Sequence, residues 1–194
     1  MKRGICFLLL SFTICKLAAQ EYTWHEGALV LQTQQVLVGA IAVEAAHDII
    51  LFRSSDHIHV YPAHRIQSFQ FFDVKDNINR KYVSLRESEA WGRHRLYEVV
   101  LNGTIDILRR QKHNVSPVLS DADDFLYYIY MEDNLLSLKT FRSKVYPALL
   151  KEGGVSLSMF VMEKSLSPQE PSHAIEIIRY YNGLVQSDAI VATR

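Results

Sequence analysis

The first two-thirds of the chain is written as short apolar runs divided by short polar breaks. Residues 28–32, 36–43, 48–52, 57–61 and 66–72 are rich in β-branched and aromatic side chains, and breaks such as 33–35, 44–47 and 53–56 separate them. Short strands at this even spacing predict an antiparallel β-meander or a small barrel. The run 36–43 is apolar on both faces with Gly39 at its middle, where a bulge or bend fits. The strongest local signal is residues 96–110, in which two β-rich runs flank Asn102-Gly103. A two-residue type I′ turn needs positive φ at both central positions, which Asn and Gly supply at low cost. The stretch therefore predicts a central hairpin with Leu101 opposite Thr104 and Val100 opposite Ile105. One face of that hairpin carries Tyr97, Val99, Leu101 and Leu108, the other Leu96, Val100, Ile105 and Ile107. A ribbon wet on one side would alternate apolar with polar, so this one is expected to be covered on both.

Residues 81–85 read as a further strand, and 86–95 as a charged loop around Trp91-Gly92. The polar stretch 111–124 contains Pro117 and reads as a surface loop. Residues 125–131, FLYYIYM, and 135–138 then form a second hairpin across Glu132-Asp133-Asn134, with aromatic density favouring strand over helix. The pattern changes at Thr140, a candidate N-cap for a helix over 140–151 that Pro147 should kink or split and Gly153-Gly154 should end. Leu157, Phe160 and Val161 fall at helical spacing within 155–164. Ser167 to Glu170 resembles a capping box, and Ile175, Ile178 and Tyr181 repeat at helical spacing before Asn182-Gly183 closes the run, with a frayed tail beyond Ser187. The reading is a single α+β domain over 20–194, β-rich over 24–138 and helical over 140–185, with the sheet packed by the C-terminal helices.

The N-terminus changes the picture of where this domain works. Residues 1–19 carry Lys2 and Arg3, an apolar run from Ile5 to Cys15 and a small-residue end at Ala18-Ala19. That is the pattern of a secretory signal peptide, and the run is shorter than the roughly 20 residues that span a bilayer. Both cysteines, Cys6 and Cys15, lie inside it. A chain cleaved after Ala19 would hold no thiol, which excludes disulfides, cysteine nucleophiles and cysteine-bound metals. Loss of Lys2, Arg3 and Lys16 would leave 18 basic against 21 acidic residues, a net charge of −3. Nucleic-acid binding calls for a basic footprint, so no nucleic-acid partner is expected. No later run is apolar for long enough to form a transmembrane segment.

Candidate chemistry is sparse. His57 and His59 share a face if 57–61 is a strand, so both imidazoles could reach one metal with His64, His47 or Asp56 as third ligand. The plainer reading is a polar strand face opposite Ile58 and Val60. Asp121, Asp123 and Asp124 suggest calcium, but an EF-hand counted from Asp121 would need glycine where Leu126 stands. No Gly-x-Ser-x-Gly marks a nucleophile. Phe125, Tyr127, Tyr128 and Tyr130, with Trp91 and Tyr97, could form a stacking surface for a ligand or partner, or simply divide between core and rim. Asn102-Gly-Thr and Asn114-Val-Ser match the glycosylation acceptor pattern, relevant only in a eukaryotic secretory pathway.

The runs Gly27-Ala28-Leu29-Val30-Leu31, Val38-Gly39 and Tyr61 to Phe69, followed by Arg80-Lys81-Tyr82-Val83, Leu108-Arg109-Arg110 and Tyr181-Asn182, resemble a family of uncharacterised exported proteins of Gram-negative bacteria. The resemblance implies a periplasmic or extracellular location and no known activity. Taken together, the expectation is an exported, non-enzymatic protein without cofactor that binds a protein or an envelope component. The competing expectation is a metal-assisted hydrolase built on His57 and His59. A third, a small barrel holding an apolar ligand, requires a sizeable internal cavity.

Overall fold

Each of the expected β-runs forms a strand in the computed structural model, which describes residues 22–45, 47–55, 57–87, 92–112 and 124–192, with side chains through Gln186. The strands are β1 (His25–Leu31), β2 (Val36–Glu44), β3 (Ile49–Ser54), β4 (His57–Pro62), β5 (Ile66–Asp73), β6 (Ile78–Arg86), β7 (His94–Leu101), β8 (Asp106–Gln111), β9 (Phe125–Met131) and β10 (Asn134–Ser137). They make one antiparallel sheet in the order β10-β9-β8-β7-β6-β5-β1-β2-β3-β4. Two helices follow, α1 (Tyr146–Glu163) and α2 (Pro171–Ala192), so the fold is an α+β meander. The sheet is open, with β4 and β10 at its edges, and the small barrel is therefore corrected.

The sheet is nevertheless strongly rolled at its N-terminal end. β4 and β5 stand four strand spacings apart in the ladder, about 19 Å in a flat sheet. They are joined by only three residues, the 3₁₀ turn Ala63–Arg65, whose reach is about 8 Å. Only a curled sheet closes that gap. The turn is held from both sides: the Ala63 N–H donates to Asp48 O at 2.9 Å, and Gln32 N–H and Nε2 donate to Arg65 O at 2.9 Å and Ile66 O at 2.8 Å. Gly27 and Gly39 face each other across β1 and β2. A Cβ on Gly27 would lie 2.3 Å from Gln70 O, and one on Gly39 2.6 Å from Arg53 O, so the bare backbone is what admits the curl. The β1–β2 ladder runs unbroken through Gly39, which answers the expected bulge with close approach instead.

Two cores lie on the sheet. The roll is filled by Leu29, Ile41, Ile50, Phe52, Ile66, Phe69 and Phe71, with Leu96 reaching in from β7. Apolar side chains thus occupy the place where a barrel ligand would have sat. The second core joins Ile107 and Ile129 of β8 and β9 to Phe141, Leu149, Leu157, Ile177 and Ile178 of the helical part.

The central hairpin occurs where the sequence put it, but its turn differs. Leu101 pairs with Ile107 and Val99 with Leu108, with an irregularity between Val99 and Leu101 that leaves Val100 outside the ladder. Neither Asn102 nor Gly103 has a positive φ, so this is not a type I′ turn. Instead the Gly103 N–H donates to Asp106 Oδ1 at 2.9 Å, while Asn182 of α2 accepts from Ile105 N at 3.0 Å and donates to Ile105 O at 2.8 Å. The two-residue turn with both φ positive, 48° and 61°, is at Glu132-Asp133 between β9 and β10. Both faces of the central hairpin are covered as expected: Tyr97 and Leu108 are fully buried on one, Leu96, Ile105 and Ile107 on the other.

The helices also depart from expectation in their ends. Thr140 caps nothing; Leu138–Thr140 is a 3₁₀ turn and Phe141–Val145 a π turn, and Pro147 sits in the first turn of α1, where its missing N–H costs no bond. Gly154, at φ 54° and ψ −140°, leaves the helical region and divides α1 into two helical segments across a kink, so the expected break at Gly153-Gly154 is found. The Ser167 hydroxyl accepts from Gln169 N rather than capping α2, which starts at Pro171. α2 continues through Asn182-Gly183 to Ala192, past both the expected stop and the expected frayed tail.

Candidate functional site

The aromatic strand β9 carries the site. On one side it pairs with β8 along its whole length, from Phe125 to Tyr130. On the other, β10 pairs only with Tyr128 to Met131 before the chain leaves at Ser137 into its 3₁₀ turn. Residues 125–127 thus have no strand partner on that side among the described residues. A groove of about 460 Å³ opens beside them. Its floor is Phe125, Tyr127 and Tyr128, and its walls are Leu138 and the first turn of α2 with Ile175. Lys112 and Lys139 also line it, and no carboxylate does among the described residues.

The floor is anchored by an ion-pair chain on the same sheet face. Arg109, cross-strand neighbour of Tyr127, lies 4.5 Å over the Phe125 ring. Its guanidinium donates to both oxygens of Glu98, Nε to Oε2 at 2.7 Å and Nη2 to Oε1 at 3.0 Å. Glu98 also accepts from Arg80 Nη1 at 2.6 Å, and Arg80 in turn bonds Asp73 Oδ2 at 2.7 Å and Asp76. Burial opposes the charge on Arg109, but the hydrogen bond and charge of Glu98 overcome it and raise its pKa. The Arg80 bond likewise holds Asp73 below the ordinary carboxylate range. Such bidentate, charge-assisted bonds hold side chains in one geometry, so Phe125 and Tyr127 present a preformed surface.

The aromatic residues singled out from the sequence are thereby divided. Phe125, Tyr127 and Tyr128 line the groove. Tyr97 is core, edge-on to Tyr128 with ring centroids 5.2 Å apart, and burial raises its pKa. Tyr130 donates to Asp133 Oδ1 at 2.9 Å beside the β9–β10 turn. Trp91, Asp56, Asp121, Asp123, Asn114 and the leader lie outside the described residues.

The four histidines proposed as ligands fall in two places. His57 and His59 are exposed on the edge strand β4, opposite Ser54 and Phe52. His64 belongs to the 3₁₀ turn beyond Pro62, and His47 lies between β2 and β3, paired with Glu44 at 3.3 Å. Among the described residues no three His, Cys, Asp or Glu side chains come together as a metal site would require. Nor is any helix among them long and apolar enough to cross a membrane. The strongest buried polar group went unread in the sequence. It is Asp48, whose Oδ2 accepts from Arg95 at 2.8 Å and Arg110 at 3.2 Å while Oδ1 accepts from Leu96 N at 3.0 Å. These partners are 47, 62 and 48 residues away in the chain, so no local pattern announces them.

No family model matches the chain, and neither a curated protein nor a solved structure matches it.

Proposed function

We propose that this is an exported, non-enzymatic envelope protein that binds a protein partner by taking an extended segment of it into the groove beside β9. The observation that carries the reading is the start of an aromatic strand that has no strand partner on one side among the described residues, at the floor of a groove whose far wall is a helix. An extended peptide laid there would continue the line of β10, pairing its backbone with residues 125–127 and seating alternate side chains on the aromatic floor. A volume of about 460 Å³ suits one or two apolar side chains, and Lys139 favours an acidic neighbour in the same segment. Export rests on the basic, apolar, small-residue order of residues 1–19 and on the resemblance to exported Gram-negative proteins.

Panning a displayed peptide library on the purified protein tests the binding mode. The expected enrichment is for peptides with an apolar or aromatic anchor beside an acidic residue, and these should bind Ile175→Glu and Lys139→Glu at least tenfold more weakly. Circular dichroism and thermal unfolding must show both variants folded. Failure to enrich, or binding indifferent to both substitutions in folded variants, would remove the groove reading.

A further inference from the structure

A second pocket, of about 450 Å³, lies where the roll meets β7, remote in sequence from the groove. His47, His64, Arg93 and His94 line it, with Asp48 and Gly92. Arg86 backs it: its Nη2 lies 2.8 Å from where a Cβ on Gly92 would be, and Gly92 itself holds a φ of 58° that suits glycine. Asp48 is the one carboxylate lining the pocket among the described residues, and both its oxygens are already taken by Arg95, Arg110 and Leu96 N. Glu87, next to Arg86 in the chain, is committed to Arg95 at 3.0 Å. Among the described residues neither Arg86 nor Arg93 has a carboxylate partner. Donors and positive charge therefore gather here in excess of the anions present.

The hydrogen bonds fix how His94 can take part. Ser84 donates its hydroxyl proton to Ala63 O at 2.7 Å, so toward His94 Nδ1, 3.4 Å away, it can only accept. Nδ1 then carries the proton, and Nε2 can donate into the pocket only when the ring takes up a second proton, which a bound anion would favour. We infer that this pocket is an oxyanion site that takes a phosphate group, held by the guanidiniums of Arg86 and Arg93 and by the imidazoles of His64 and His94. Guanidiniums present paired N–H donors that suit tetrahedral phosphate oxygens. The volume exceeds that of a bare phosphate ion and leaves room for an organic ester of it. Burial, then the charges of Arg86 and His64, depress the His94 pKa. The groups around it are Ser84 and Arg86 from β6, His64 from the 3₁₀ turn, and His47, Asp48 and Arg93 on the pocket wall, and a bound anion would offset the charge of the guanidiniums.

Isothermal titration of the purified protein, in chloride buffer, with inorganic phosphate and with glycerol phosphate, and sedimentation with phosphatidylglycerol or phosphatidylcholine vesicles, tests the site. Saturable binding of one glycerol phosphate per chain is expected, weakened at least tenfold by Arg93→Ala and by Arg86→Gln, both exposed and away from the cores. The His94 imidazole resonance should titrate at higher pH when the ester is present. Binding to phosphatidylglycerol vesicles alone, sensitive to the same two substitutions, would place the phosphate in a lipid headgroup; binding of the soluble ester alone would place it on a free metabolite. No saturable binding of any probe, or binding that both variants retain, would overturn the inference.

Discussion

Gly103 shows how a residue can be read at the right place for the wrong reason. Its φ is ordinary, and its lack of a side chain serves Asn182: a Cβ there would lie 2.3 Å from Nδ2 and 2.5 Å from Cγ of that amide. Asn182 is only 4% exposed and closes both backbone groups of Ile105, so the two residues form one device that ties the central hairpin to α2. Gly103→Ala is expected to cost about 1–3 kcal/mol by overpacking, and Asn182→Ala about 2–3 kcal/mol through two lost buried hydrogen bonds. The double variant should cost at least about 1 kcal/mol less than their sum, because Asn182→Ala removes the very amide atoms that a methyl group on Gly103 would strike. Urea unfolding of the four proteins measures the cycle, and strict additivity would show the two sites to be independent.

At the level of elements, strands were legible and helix ends were not. Alternation and aromatic density are local, so β1 to β10 fall within a few residues of where the sequence put them. A mid-helix Asn-Gly looks like a stop only until the partner of the Asn is known, and Thr140 looks like a cap only until the 3₁₀ and π turns around it are seen. The two helices meet through a bond of the same hidden kind, the Tyr181 hydroxyl donating to Glu152 of α1. Burial, then that hydrogen bond, push the Tyr181 pKa up to about 12. A phenol whose pKa is raised on folding stabilises fully below its unfolded value, about 10, and loses that contribution as pH climbs through the folded value. Stability should therefore fall between pH 10 and about 12, and Tyr181→Phe should flatten part of that fall in pH-dependent urea unfolding. An identical alkaline profile in the variant would exclude the helix pair as its source.

Over the whole molecule, the aromatic floor of the groove was visible in FLYYIYM, whereas its walls come from Leu138 and Ile175, brought in by the chain's return across the sheet. Besides the β5–β6 ladder, the roll is tied to the central strands through Asp48, buried with Arg95 and Arg110. Asp48→Ala would leave two buried guanidiniums without their shared carboxylate, a change expected to cost about 3–5 kcal/mol. Adding Arg110→Met should recover part of it. A loss below about 1 kcal/mol, read from the urea midpoint, would mean that the roll docks by apolar contact alone. One more property follows from the ladder order. Of the nine strand pairings among the described residues, eight join neighbours in sequence, and β1 with β5 is the exception. Eight hairpins can zip from short-range encounters within microseconds, while that single seam must first bring together ends some 35 residues apart. Within the sheet, the β1–β5 seam is therefore the pairing that closes the longest loop and the one expected to form last.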